Sequence, residues 1–251
     1  MRATFHRHRP AVTDIDWQRL DIRRRADVAA LVQAARPDVI LNAAYQKADW
    51  ATTAEGPANV ALAAAAASAR LVHVSSDAVF SGTAARYHET DVPDPTTPYG
   101  AAKAAAETAI TAITPAAAIA RTSLIIGDGD SPSEVQVHAL AAGTRTGVLY
   151  TDDVRCPVHV ADLAAALLEL AGSSHSGIHH AAGRDAVSRY ELGLLIAARD
   201  GLDPASLPTG RRAEIGPPGP LDLRLDSTET QSRLNTHLRG AREFLVPRPV
   251  H

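Results

Sequence analysis

Tyr99 and Lys103 stand four residues apart in the segment Thr97-Pro98-Tyr99-Gly100-Ala101-Ala102-Lys103. On a helix that spacing stacks the two side chains on one face. An ammonium beside a phenol favours the phenolate, so the pair predicts a tyrosine whose pKa falls from about 10 toward the range of a working proton donor or acceptor. Taken alone, Tyr-x3-Lys also describes many solvated helix faces. Upstream, Ser75 and Ser76 close the mostly apolar run 70–74, and a hydroxyl at the end of a buried strand can donate to a carbonyl oxygen. Together these residues read as a site for carbonyl reduction.

Such side chains need a scaffold that brings strand ends and a helix start to one place. Thr97 suits an N-cap and Pro98 the first helical position, which predicts a helix from Tyr99 through Ile113. Elsewhere short β-branched runs alternate with longer helical patterns, arguing for parallel strands joined by crossover helices. Strands are predicted at 38–44, 70–76, 117–122, 147–150 and 177–180. Helices are predicted at 26–35, ended by Arg36-Pro37, and at 55–68. The fold class is therefore α/β, a doubly wound, Rossmann-like parallel sheet with a small C-terminal substrate lobe. Residues 1–182 form the nucleotide-binding part and 183–251 the lobe, with 128–149 as a further contributor to it. Ligands of such sheets sit at the carboxyl ends of strands. Asn42, Ser75-Ser76 and Thr122-Ser123 occupy those ends; any single one is most often just a turn or cap, but three of them beside Tyr99 and Lys103 favour function.

Composition narrows the partners. The 251 residues carry a formal charge of −3, which gives no electrostatic case for nucleic acid or an anionic membrane. Arg23-Arg24-Arg25 reads as a surface cluster at a helix start, since no aromatic or further basic stripe accompanies it. No stretch reaches about 20 uninterrupted apolar residues and 1–9 lacks a signal-peptide core, so a soluble, cytoplasmic protein acting on a small molecule is expected. The single cysteine, Cys156, excludes an internal disulfide and reads as packing. No metal is expected: His6 and His8 read as exposed, His179 and His180 alternate faces, and His159 with Asp162 reads as a helix start. The Pro- and Gly-rich segment 201–220 predicts a mobile loop.

At this point the chain resembles the extended short-chain dehydrogenase/reductase superfamily, and within it the dTDP-4-dehydrorhamnose reductase family. The resemblance runs in order through Arg36-Pro37-Asp38-Val39-Ile40-Leu41-Asn42-Ala43-Ala44, Val74-Ser75-Ser76-Asp77-Ala78-Val79-Phe80-Ser81-Gly82, Tyr99 to Lys103, Arg121-Thr122-Ser123, Arg155-Cys156-Pro157-Val158-His159 and Leu225-Asp226-Ser227-Thr228. It implies an NAD(P)-dependent reductase of a sugar nucleotide or related small molecule. In that scheme Ser76, Tyr99 and Lys103 are catalytic: Ser76 donates to the substrate carbonyl, Tyr99 delivers the proton, and Lys103 holds the nicotinamide ribose. Asn42, Ala43, Ala44, Thr122 and Ser123 line the cofactor together with Tyr99 and Lys103, Ser75 supports them, and Ser76, Asp77 and Arg155 meet the substrate.

Two departures from the family pattern bear on that transfer. The family opens with a strand and a Gly-x-x-Gly-x-x-Gly turn that lets the backbone approach a pyrophosphate, whereas the first glycine here is Gly56. Aligning the asparagine turn places Arg2-Ala3-Thr4-Phe5-His6 at the family's second strand. A sheet lacking the first strand would leave apolar edges and favour association, a homodimer being the simplest form. Arg7 and Arg9 then fall where such folds distinguish a ribose hydroxyl from a 2′-phosphate, favouring NADP over NAD; a solvated basic terminus is the other reading. The second departure is Leu124-Ile125-Ile126, with Ala78, where the family usually carries aromatics that would stack on a sugar or base. The rival function is a non-catalytic or regulatory subunit of the same fold, as in the similar β-regulatory subunit of methionine adenosyltransferase.

Overall fold

The computed structural model describes residues 1–247. The chain runs through β1 (Arg2–Phe5), β2 (Asp16–Arg19), α1 (Arg25–Ala35), β3 (Val39–Asn42), α2 (Gly56–Ala66), β4 (Arg70–Ser76), α3 (Pro98–Ile113) and β5 (Ala118–Thr122). It continues through β6 (Ile125–Ile126), α4 (Pro132–Ala141), β7 (Leu149–Tyr150), β8 (Val154–Arg155), β9 (Val158–His159), α5 (Val160–Gly172) and β10 (Gly177–His180). The remainder is β11 (Val187–Ser188), α6 (Arg189–Asp200), β12 (Thr209–Gly210), α7 (Arg212–Ile215), α8 (Thr228–Arg233) and α9 (Ala241–Phe244).

Four parallel strands in the order β10-β5-β4-β3 make the central sheet. Its register pairs Ser76 with Thr122, so those two strand ends finish level, while Asn42 pairs with His73 and ends β3 three residues short of Ser76. One face is covered by α1, α2 and α3, where Val28, Val32, Val60, Ala64 and Ile110 pack on Leu71 and Ile119. Ala61, Ala63 and Ala64 of α2 are buried there, Ala61 and Ala64 at 0% exposure; small side chains allow that close approach. The opposite face carries α5, whose Leu163, Ala166, Leu167 and Leu170 pack on Val72, Ala118 and Ala120. A separate cluster joins α4 and α6 through Val137, Leu140, Leu192 and Ile196, with Leu149 beside them. This is where segment 128–149 meets the C-terminal part.

Several expectations change. The strand expected at 147–150 shortens to β7 and pairs with β12, outside the central sheet. The strand expected at 2–6 is β1, which pairs in parallel with β2 and is not hydrogen-bonded to the four-stranded sheet. The helix expected at 55–68 is α2, entered through a π-helical turn at Ala51–Glu55. Segment 201–220 is not a bare loop: it holds β12 and α7 and is pinned by Arg212, which donates to Pro217 O, Pro220 O and Asp153. The last four residues of the expected lobe lie outside the described residues. Among the described residues no helix is long and apolar enough to cross a membrane.

Candidate active site

The site is built where α3 meets the end of β4. Thr97 caps α3, its Oγ1 accepting from the Gly100 N–H at 3.1 Å, and Pro98 takes the first turn. The helix start then packs directly on the turn after β4: a Cβ placed on Gly100 would lie 2.0 Å from the Ala78 carbonyl oxygen. Only glycine permits that approach, which brings Tyr99 against Ser76. The serine hydroxyl is near enough to the phenol to pull its pKa down. Ser76 Oγ also accepts from the Ala78 N–H at 3.2 Å and donates to Asp77 Oδ1 at 3.1 Å.

Electrostatics at the pair differ from the expectation. Burial pushes the Tyr99 phenol up to about 12; nearby Tyr45 and Asp77 push the same way, and the Ser76 hydroxyl only partly opposes them. Lys103 is 2% exposed, donates from Nζ to Val74 O at 2.9 Å, and is drawn down to about 8 by its own burial. The ammonium is not among the groups that set the tyrosine's pKa, so the predicted downward shift of Tyr99 is corrected: desolvation outweighs charge stabilisation here. Tyr45 lies between the two, its ring 6.0 Å from that of Tyr99 and 5.3 Å from Lys103 Nζ. Lys47 Nζ is 5.9 Å from the Tyr99 ring centre.

The other strand ends arrange themselves around this pair. Asn42 is buried; Nδ2 donates to His73 Nδ1 at 3.3 Å and Oδ1 accepts from the Ala44 N–H at 3.2 Å, leaving Ala43 and Ala44 exposed on a tight turn. Burial, aided by the Lys103 charge, holds His73 neutral, its pKa down to about 3, which suits an acceptor at Nδ1. Thr122 is buried, its hydroxyl without a partner among the described residues. Ser123 Oγ donates to Asp77 Oδ2 at 2.7 Å and accepts from the Cys156 N–H. Cys156 is buried in the packing beneath.

Four of the predicted residues sit differently. Ser75 is 2% exposed and donates at 2.5 Å to Glu107, which is in turn held by Arg121, so it pins the core on the other side of the strand from Ser76. Arg155 is 6% exposed and donates to Val154 O, Leu221 O and Pro220 O, with Asp153 at 2.7 Å; only its Nε points toward Asp77, at 3.7 Å. Most of its capacity is consumed by the protein. Arg7 and Arg9 are exposed on the segment after β1 and make no ion pair among the described residues. They follow β1 of the two-stranded sheet, which is not hydrogen-bonded to the sheet that carries the strand-end cluster.

Residues 1–245 match the family described as RmlD substrate binding domain. A dTDP-4-dehydrorhamnose reductase from Mycobacterium tuberculosis is 34% identical over 227 residues, covering 84% of this chain and 73% of that one. The chain belongs to this family. The β subunit of methionine adenosyltransferase 2 from Xenopus laevis is 29% identical over 252 residues, covering 91% of this chain and 75% of that one. In fold, a dTDP-4-dehydrorhamnose reductase from Bacillus anthracis superposes with a TM-score of 0.83 at 24% identity, over 94% of this chain and 90% of that one.

In this member of the RmlD family, the hub of the site is Asp77. It holds both Ser76 and Ser123 and adds to the upward push on Tyr99. Three contributors were missed from the sequence. Tyr45 directly follows the Asn42-Ala43-Ala44 turn, and an aromatic in that place was the available signal. Gly100, inside the first turn of a helix where glycine is otherwise costly, was another. His73 alternates with Val72 and Val74 along a strand and gave no signal of its contact with Asn42.

Proposed function

We propose that this protein is an NAD(P)-dependent oxidoreductase that reduces a carbonyl on a sugar nucleotide, with dTDP-4-dehydrorhamnose as the first substrate to assay. The reading is carried by the meeting of Tyr99 and Ser76 at the carboxyl end of a parallel strand, with Lys103 one helical turn on. Bound nicotinamide supplies the hydride. Tyr99, kept protonated by burial, gives its proton to the carbonyl oxygen as negative charge develops there. Ser76 turns its hydroxyl from Asp77 to the same oxygen, and the buried Asp77 carboxylate holds it poised until then.

NADP is the cofactor proposed, with NAD as the alternative; the solved relative from Bacillus anthracis was determined with NADP. The nicotinamide-ribose half suits the residues present. Lys103 uses one of its three N–H donors on Val74 O, leaving two for ribose hydroxyls. The exposed Ala43-Ala44 turn and the unpartnered Thr122 hydroxyl offer a wall and a polar contact, with Ser123 alongside. Arg7 and Arg9 are the candidates for a 2′-phosphate. The pyrophosphate finds no Gly-x-x-Gly-x-x-Gly cradle in this sequence. We further assign 1–182 to nucleotide binding and 183–251, with 128–149, to a substrate lobe, Asp77 and Arg155 to the substrate side, and the protein to the cytoplasm as a homodimer.

The 29% identity to a methionine adenosyltransferase β subunit supports one second reading, a regulatory subunit. Calorimetry with NADPH and a turnover assay on dTDP-4-dehydrorhamnose separate the two. The reductase reading expects NADPH binding, and turnover that falls at least about 100-fold in Tyr99→Phe while binding is kept. Binding without Tyr99-dependent turnover would favour the regulatory subunit.

A further inference from the structure

Three guanidinia converge on the buried carboxylate of Asp153, behind Asp77, and they are not equivalent. Arg155 Nη1 is 2.7 Å from Asp153 Oδ1, and its remaining donors go to the carbonyls of Val154, Leu221 and Pro220. Arg212 Nη1 is 3.0 Å from Asp153 Oδ2, and its other donors reach the carbonyls of Pro217, Pro218 and Pro220. Both are fixed by the protein. Arg189 is the third: its nearest approach to Asp153 is from Nε, at 3.6 Å, and its side chain makes no hydrogen bond among the described residues. Its two terminal amino groups are therefore uncommitted.

The setting makes that unusual. The Arg189 side chain is 29% exposed, so most of it is out of water, and its one counter-ion, Asp153, is shared with two closer guanidinia; burial disfavours its charge more than Asp153 supports it. Its backbone N–H donates to Asp153 O at 2.9 Å, which fixes the base of the side chain. It is also the first residue of α6, where a positive charge opposes the helix dipole. The capping box of Ser188 and Glu191 already completes that helix end, so Arg189 is not needed there. Asp77 lies within its electrostatic reach, and Asp77 is the carboxylate that holds Ser76 beside Tyr99. Counting Arg155, Arg189 and Arg212 against Asp153 and Asp77 leaves one positive charge unbalanced on this side of the site.

We propose that Arg189 is the anion-recognition residue of the substrate, its two terminal amino groups taking phosphoryl oxygens of a nucleoside diphosphate moiety. A planar guanidinium edge matches two oxygens at once. The assignment rests on the reading of Tyr99 and Ser76 as the reacting end, since it names what holds the far part of the same substrate.

The test is binding of thymidine diphosphate, inorganic pyrophosphate and thymidine by calorimetry to wild type, Arg189→Gln and Arg189→Lys, with NADPH affinity and the unliganded thermal midpoint measured alongside. Loss of charge-assisted hydrogen bonds predicts that Arg189→Gln weakens thymidine diphosphate by about 10-fold or more. Arg189→Lys should recover part of that affinity, thymidine should be indifferent, and NADPH affinity and the midpoint should hold. Equal thymidine diphosphate affinity in wild type and Arg189→Gln overturns the proposal, as does failure of wild type to bind either diphosphate. If Arg189→Gln does not fold, the lysine variant decides. Arg189-dependent diphosphate binding without turnover leaves this inference standing and removes the reductase reading. Tyr99-dependent turnover with an indifferent Arg189→Gln does the reverse.

Discussion

Lys103 is held in its charged form against its surroundings: it is 2% exposed and its pKa falls from 10.5 to about 8. That difference is on the order of 3 kcal/mol of destabilisation whenever both folded and unfolded chains carry the proton. The penalty is present in full below pH 8. It is relieved as pH rises from 8 toward 10.5, because over that window the unfolded chain binds the proton and the folded one does not. The thermal midpoint should therefore rise between pH 8 and 9 in the wild type and stay flat in that interval in Lys103→Met, which should also be about 1–3 kcal/mol more stable at pH 7; above pH 9 the buried Cys156 thiol, pushed up to about 11, opposes the gain. A less stable Lys103→Met at neutral pH would sink this account. Turnover moves the other way. If the ammonium is the working form, kcat/KM falls as pH rises through about 8, and Lys103→Arg, where active, should shift that limb upward because guanidinium does not titrate there. A pH profile alike in both would show that another group sets the limb.

At the scale of elements, α3 carries the pair because its first turn lies on the Ser76–Ala78 backbone, and Gly100 is what lets it. In Gly100→Ala the new methyl meets a main-chain oxygen at 2.0 Å, an obstacle no rotamer change removes. The helix start must shift, at about 1–3 kcal/mol. Because displacements near 1 Å at a reacting centre cost about 100-fold, turnover should fall by at least that much; denaturant unfolding and steady-state kinetics measure both. Wild-type rates in Gly100→Ala would show that the close approach is not required. The helix itself was legible in the sequence, with Thr97 and Pro98 marking its start, as was the strand 70–76, whose limits β4 repeats. What sequence could not give was which groups win at close range. Spacing put Lys103 on the face of Tyr99, yet burial and the Val74 carbonyl govern the lysine. Strand alternation did separate Ser76, beside Tyr99, from Ser75 on the other side, but not the buried Glu107 that Ser75 meets there.

At the scale of the molecule, alternation of strands and helices made the doubly wound sheet legible, whereas the two-residue strands that tie β6 to β9, β8 to β11 and β7 to β12 are too short to leave a periodic signal. The sheet's two faces are unequally covered, three helices against one. On the α5 side the edge strand β3 leaves Val39 and Leu41 at 38% and 40% exposure, and α5 presents Val160 at 44% and Leu168 at 66%. Between those two on α5, Ala161, Ala164 and Ala165 are exposed as well, so beside its packed face the helix carries an exposed apolar stripe, bounded by Asp162 and Glu169. An exposed apolar surface of this kind marks an association site. This supports the proposed homodimer through α5 and β3, whose small alanines would let two copies approach closely. Leu168→Glu places a charge in that surface without touching the core, so sedimentation should show a concentration-dependent dimer for wild type and a monomer for the variant, with little change in thermal midpoint beyond the loss of assembly. A wild type that sediments as a monomer at every concentration would mean that the face is not where copies of this chain meet.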